Sequence, residues 1–281
     1  MKFFKLWAQA LRMMRSGQLA QLHEHRRALL ASPRNSDERR LLKFGYRVYS
    51  QGDEDGILRE LFRRIGEGNR TFVELGTGSG LENNTLFLLS QGWSGVWIEG
   101  SARKVASAKK TLSAFVAQEQ LRIAEHFITA ASIDKTIATL HSKSELDLLS
   151  IDLDGNDYYI LDAIRSVSPR VIVAEYNAKF PADIFWVVQY NEAHHWDSSD
   201  YFGASLKALE DLLAARGYAL VGCSVLGTNA YFVRKDLVAD PPFCSPFTSE
   251  NHYEPARYFL HPVFESGFPT GFGPFRTKRK P

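Results

Sequence analysis

The stretch FVELGTGSG, Phe72 to Gly80, decides the fold. An apolar run there gives way to three glycines alternating with small residues, as when a buried strand turns through a tight loop into a helix. Beyond it the chain alternates. Thr71–Leu75, Gly95–Glu99, Leu121–Thr129, Leu146–Ile151 and Val171–Glu175 read as strands, with helices expected over Asn84–Gln91, Ala102–Gln118, Ile133–Ser142 and Asp157–Ser166. Helices of that length between strands mean right-handed crossovers and a parallel sheet. After a helix at Leu206–Arg216, YALVGCSV and NAYFVRK turn across Leu226–Thr228 as an antiparallel hairpin. The expected fold is α/β, a Rossmann-like, doubly wound, mostly parallel sheet closed by that C-terminal hairpin.

At 281 residues and 44% hydrophobic content, the chain has room for one large domain with appendages. The division expected is a basic helical N-terminal extension over 1–48, the α/β domain over 49–239 and an extended arm over 240–281. That arm holds eight of the eleven prolines and seven phenylalanines and ends in RTKRKP, a basic tip given no role. Residues 1–50 carry 11 Lys/Arg against 3 Asp/Glu, although the whole chain nets only +2. Phe3, Phe4, Trp7, Leu11 and Met14 recur at helical spacing with Lys2, Lys5, Arg12 and Arg15 between them, giving a short basic amphipathic helix broken near Gly17. Two roles stay open for it: lying on an anionic membrane surface, or packing on the core or on a second subunit of a homo-oligomer. From Gln18 to Val48 the pattern stays helical and basic.

No apolar run reaches the roughly 18 residues of a membrane span, and charges interrupt the N-terminus too often for a signal peptide. Cys223 and Cys244 offer neither zinc spacing nor a framework of bridges, so a reducing compartment is expected: the cytoplasm, with peripheral contact at the inner membrane face left open. Nucleic acid is disfavoured as a partner, because the basic excess is confined to the N-terminus.

Glycine loops after a first strand hold dinucleotides or S-adenosylmethionine. A dinucleotide fingerprint runs G-x-G-x-x-G, its third glycine letting helix and strand approach beside the pyrophosphate. Here the third glycine comes early, at Gly80, and Leu81 stands in the expected place. Glu74 precedes the loop, where an acid suits a ligand's ammonium group better than a pyrophosphate. Glu99 ends the next strand, 19 residues beyond Gly80, where an acid accepts ribose hydroxyls of either ligand. With VELGTGSG and VWIEG as its first two motifs, the chain resembles class I S-adenosylmethionine-dependent methyltransferases. More narrowly, YSQGDEDGIL, GWSGVWIEG, LLSIDLDGNDYYIL, VIVAEYNAKFP and GASLKAL resemble the FkbM-like group, many of whose members sit in glycan and natural-product pathways. The resemblance spans about Tyr49 to Asp236. It implies that Glu74, Gly76, Thr77, Gly78 and Gly80 hold the methionine end, Glu99 with Gly100 and Ser101 the ribose, and Ala130 or Ala131 the adenine. Asn84 and Thr85 are contacts or caps of the following helix.

SIDLDGNDYY puts Asp152, Asp154 and Asp157 at the carboxyl end of the fourth strand, and AEYN puts Glu175 and Asn177 at the end of the fifth. In an open α/β sheet the ligand crevice lies there. Oxygen ligands converging from two strand ends suit a hard cation such as magnesium, with Asp152, Asp154, Glu175 and Asn177 as the candidate set. An EF-hand loop is rejected: counting from Asp152, glycine comes fourth and Ala163 twelfth. The cluster is similar to that of metal-dependent sugar O-methyltransferases, but Glu-Tyr-Asn stands where those have two adjacent aspartates. The metal-free alternative has Asp152 or Asp154 bonding the substrate or the cofactor amine and Asp157 capping the next helix. In the connection QYNEAHHWDSSDYFGAS, His194 and His195 are candidate general bases, and Tyr190, Trp196 and Tyr201 a candidate sugar platform. Lys179 orients an anionic group or pairs with Asp183.

The favoured reading is methyl transfer to a hydroxyl of a sugar, glycan or glycosylated small molecule. A nicotinamide-dependent oxidoreductase and a non-catalytic docking protein of the same fold are the alternatives.

Overall fold

The computed structural model describes residues 2–142, 144–238, 242–260 and 275–276. Seven strands form the main sheet: β1 (Thr71–Leu75), β2 (Ser94–Glu99), β3 (Leu121–Glu125), β4 (Glu145–Ile151), β5 (Ser168–Glu175), β7 (Tyr218–Cys223) and β8 (Asn229–Arg234). Their order is β3-β2-β1-β4-β5-β8-β7. The first five are parallel, whereas β8 runs antiparallel to both β5 and β7. The expected architecture is therefore present, hairpin included. An all-parallel dinucleotide fold has no such reversed strand in its sheet.

Each central strand sends alternate side chains to opposite apolar layers, the period-two geometry of a sheet covered on both faces. Val73, Leu75, Val96, Ile98, Leu149 and Ile151 face one layer. There α6 (Ile133–Leu140), α7 (Asp157–Ala163) and α8 (Leu206–Ala215) close over them. Phe72, Trp97, Leu148, Val171 and Val173 face the other, under α2 (Glu54–Ile65), α3 (Leu86–Ser90) and α4 (Ala102–Thr111). Each such side chain is worth about 1.5–3 kcal/mol of burial. This anchoring holds the strand ends, and the loops after them, in place.

Several expected boundaries move. α1 (Lys2–Leu30) runs straight through Gly17. One solvent-exposed glycine costs a helix only about 1 kcal/mol, too little to break it. The helix then ends, and Pro33 opens a 3-10 turn (Pro33–Ser36), so the stretch to Val48 is not helical throughout. α2 went unassigned in the sequence, yet Ile57, Leu58, Leu61 and Phe62 form its buried stripe. The helix expected over 102–118 breaks at Leu112 into α4 and α5 (Ser113–Ala117). β3, an edge strand, stops at Glu125 rather than Thr129, which releases Phe127 and Ile128 toward the ligand crevice.

The described part of the arm is ordered by contact. Phe243 is buried, α9 (Ser249–His252) packs on the body, and the Tyr176 hydroxyl donates to the Glu254 carbonyl. A two-residue strand β6 (Val187–Val188) pairs with β9 (Phe275–Arg276). The rest of the arm, with most of the RTKRKP tip, lies outside the described residues.

Candidate functional site

The carboxyl ends of β1, β2, β4 and β5 meet at one edge of the sheet. Gly76, Gly78 and Gly80 all sit at positive φ, +80°, +57° and +84°. They do so for different reasons. A Cβ on Gly76 would fall 1.7 Å from the Asp152 carbonyl oxygen, and one on Gly80 2.5 Å from the Trp97 ring. Those two glycines let β1 meet β4 and β2. A Cβ on Gly78 would meet nothing within 4 Å, so this glycine faces the open crevice.

Glu74 is only 3% exposed. Its carboxylate accepts from Asn83 Nδ2 (3.1 Å), Asn84 N (2.8 Å), Thr85 N (3.2 Å) and the Thr85 hydroxyl. Burial nevertheless pushes its pKa up to about 7 against the pull of those donors. Asn84 also donates its side-chain amide to Ser150 Oγ. The backbone at the entry to α3 is thus filled by a buried acid. At the end of β2, Glu99 accepts from Gly78 N (2.8 Å) and Ser101 N (2.9 Å), which ties the glycine loop to the start of α4.

Two cavities open here, of about 540 and 260 Å³, and share Gly76, Lys104, Asp152, Asp154 and Trp196 as common wall. Glu99, Gly100, Ser101, Phe127, Ile128 and both histidines line the larger. The glycine loop with Thr77, Asn84 and Glu175 lines the smaller. Ala130 lines neither; it donates its N–H to the Tyr190 hydroxyl, while Phe127 and Ile128 line the larger cavity.

Asp152, Asp154 and Glu175 each bring a carboxylate oxygen within 4.8 Å of the others. Glu175 Oε2 is buried with no hydrogen-bond partner among the described residues. Burial raises all three pKa values, and the neighbouring carboxylates add to it: Asp152 and Glu175 stand well above the usual range and Asp154 at about 6. Lys104 partly offsets this at Asp154. Sequence reasoning missed Lys104; the only signal was a lysine one turn into the helix that Ser101 caps.

Asp157 does not join the cluster. Its two oxygens accept from Leu153 N and Gly155 N, holding the loop that presents Asp152 and Asp154. Asn177 is not a ligand either. Its amide donates to the carbonyls of Asp200 and Phe202, and its oxygen accepts from Lys179 N, so it fastens the substrate-side connection instead. Lys179 pairs with Asp200 at 2.9 Å, not with Asp183. His194 Nε2 lies 2.9 Å from the Asp154 carbonyl oxygen, and its ring fills the space where Gly155 has no side chain. A carbonyl only accepts, so Nε2 carries the proton and Nδ1 is the basic nitrogen. His195 sits 5.7 Å from the Phe127 ring. Of the expected aromatic platform only Trp196 borders the cavities; Tyr190 and Tyr201 pack against Tyr159 and Trp186.

No family model matches the chain, and no curated protein matches it in sequence. Solved structures are similar to it. The N-terminal domain of EvdMO1 with SAH bound is 17% identical, the match covering 66% of this chain and 80% of that one, with a TM-score of 0.44. An O-methyltransferase from Bacillus cereus in complex with SAH is 13% identical, over 77% of this chain and 89% of that one, with a TM-score of 0.41.

Proposed function

We propose that this chain is a class I, FkbM-like methyltransferase that uses S-adenosylmethionine to methylate a hydroxyl of a sugar, glycan or glycosylated small molecule, with a divalent cation such as magnesium assisting. The observation that carries the choice of nucleotide is Glu74. A pyrophosphate needs free backbone N–H groups where the chain enters a helix. Here Asn84 N and Thr85 N already donate to the buried Glu74 carboxyl group, so a pyrophosphate would find those donors taken. S-adenosylmethionine brings a cationic amine to the same end of the crevice, and when bound it supplies a methyl group activated on sulfonium.

The chain's own part is to hold and align. The open face of Gly78 admits the methionine end, Glu99 keeps a lone pair on each oxygen for ribose hydroxyls, and Phe127 and Ile128 flank the base. Asp152, Asp154 and Glu175 fit a hard cation. They are oxygen ligands from two adjacent strand ends, and one buried oxygen among them has no donor among the described residues. A cation held there would supply Lewis acidity, lowering the pKa of a hydroxyl bound to it. His194 Nδ1 and His195, both on the wall of the larger cavity, are the candidates to accept the acceptor's proton.

Titration calorimetry should show binding of S-adenosylmethionine or its demethylated product, and none of NAD. A screen of glycosides and nucleotide sugars for methyl uptake, with and without chelator, tests the rest. Tight NAD binding without response to S-adenosylmethionine would overturn the reading. Full turnover in excess chelator would remove the cation and leave the acids holding the acceptor directly.

A further inference from the structure

We infer that α1 docks this protein on an anionic lipid surface, an interaction that goes beyond the methyl-transfer reading and does not depend on it. A helix of 29 residues is about 43 Å long at 1.5 Å per residue. Among its described side chains, Leu22, Arg26, Leu29 and Leu30 are half-buried at i, i+4, i+7 and i+8. Arg26 donates to the Gly45 carbonyl at 3.1 Å, and Leu30 packs on Leu42, Val225 and Leu226. Those contacts hold the C-terminal half.

Upstream the helix leaves large apolar groups in water. Trp7, Met13 and Met14 are 61%, 75% and 64% exposed, more than any other large hydrophobic side chain described. Trp7 and Met14 are seven residues apart and so share one face. The sequence from Met1 to Gly17 carries Lys2, Lys5, Arg12 and Arg15 and no acid, so this segment's charge exceeds the net +2 of the whole chain. Exposed apolar side chains with an indole, in a segment whose charged residues are all cations, are complementary to lipid headgroups of negative charge. A second copy of residues 1–17 is the poorer occupant, since it would set four cations against four with no acid between them. Spanning is excluded for the described helices, none of which is long and apolar enough to cross a membrane.

The site of docking bears on the catalytic cavities. A groove of about 220 Å³ under α1 is lined by Leu19, Leu22, Arg26, Arg47, Gln51 and Leu226 among others. Gln51 also borders the smaller catalytic cavity. Gln51 alone is thus shared between the groove under the C-terminal half of α1 and the cavity at the glycine loop.

The test is co-sedimentation of the full chain with vesicles of phosphatidylcholine, with and without phosphatidylglycerol, at about 0.1 M and about 1 M salt. Binding should require phosphatidylglycerol and fall at high salt. Arg12→Gln with Arg15→Gln should weaken it roughly 25-fold, at about fivefold per basic residue. Trp7→Ser with Met14→Ser should weaken it roughly tenfold or more. Binding of the demethylated cofactor, measured in parallel, should not change and shows that each variant folds. The inference is overturned if the wild-type chain ignores anionic vesicles, if both variants bind as before, or if the apolar pair instead dissolves a concentration-dependent dimer.

Discussion

Replacing Asp154 by Asn should stabilise the cation-free protein near pH 8, and the gain should vanish in acid. Asp154 stands beside Asp152 and Glu175. Burial first, then the charge of Asp157, raises its pKa from 3.8 to about 6. An acid whose folded pKa exceeds its unfolded one is a burden only while ionised. Below about pH 4 both states are protonated and the burden is absent; above about pH 6 it is complete. About two pKa units at 1.36 kcal/mol each give roughly 3 kcal/mol, and the partial exposure of the group to screening water reduces this to about 1–2 kcal/mol. Asp154 also holds φ +54°, a conformation that asparagine adopts readily, so the exchange leaves the backbone alone. Urea unfolding in chelator, at several pH values, reads the difference directly. A variant less stable than wild type near pH 8, or a gap that widens toward acid, would refute the reasoning. The carboxylate would then be a hydrogen-bonded part of the scaffold and not a group waiting for a positive partner.

Millimolar magnesium should raise the unfolding temperature of the wild type in proportion to site occupancy and leave Glu175→Gln where it was; equal shifts in both would place the ion elsewhere. Glu99→Ala should weaken binding of S-adenosylmethionine by roughly 1–3 kcal/mol in calorimetry, since a charged acceptor is lost. Gly80→Ala should destabilise the fold by roughly 2–4 kcal/mol, because its Cβ would meet the Trp97 ring at positive φ, whereas Gly78→Ala should cost only about 1 kcal/mol in unfolding yet impair ligand binding. Comparing kcat for His194→Ala and His195→Ala tests which ring takes the proton; unchanged rates in both would pass that role to a carboxylate.

The sheet was legible because its strands are buried on both faces and its crossovers are helical. A run such as Phe72 to Leu75 or Leu146 to Ile151 has few other uses in a chain of this composition. What the pattern hid were features decided by packing. Gly17 looks like a break, but a helix tolerates one glycine that touches nothing. Leu121 to Thr129 looks like one strand because its apolar residues continue past Glu125. The sheet edge ends there, and the excess serves the crevice.

The site was legible by residue type but not by direction. Asp152, Asp154, Glu175 and Asn177 all lie at or just past the ends of adjacent strands, and their sequence positions cannot say which side chains turn inward. The structure separates them by where hydrogen bonds are available. Asn177 finds two carbonyls and an N–H in the connection beside it and turns away, while Asp157 finds two backbone N–H groups in its own loop. Glu74 is the same principle with the opposite outcome for the reading. Its sequence position suits a ligand's ammonium group, and the structure puts it on the wall of the smaller cavity while its carboxylate also fastens the entry to α3, filling the place a pyrophosphate would need. Asp152, Asp154 and Glu175 are what remains after such local donors are used up, and a buried acid left without a donor is the clearest structural sign of a positively charged ligand.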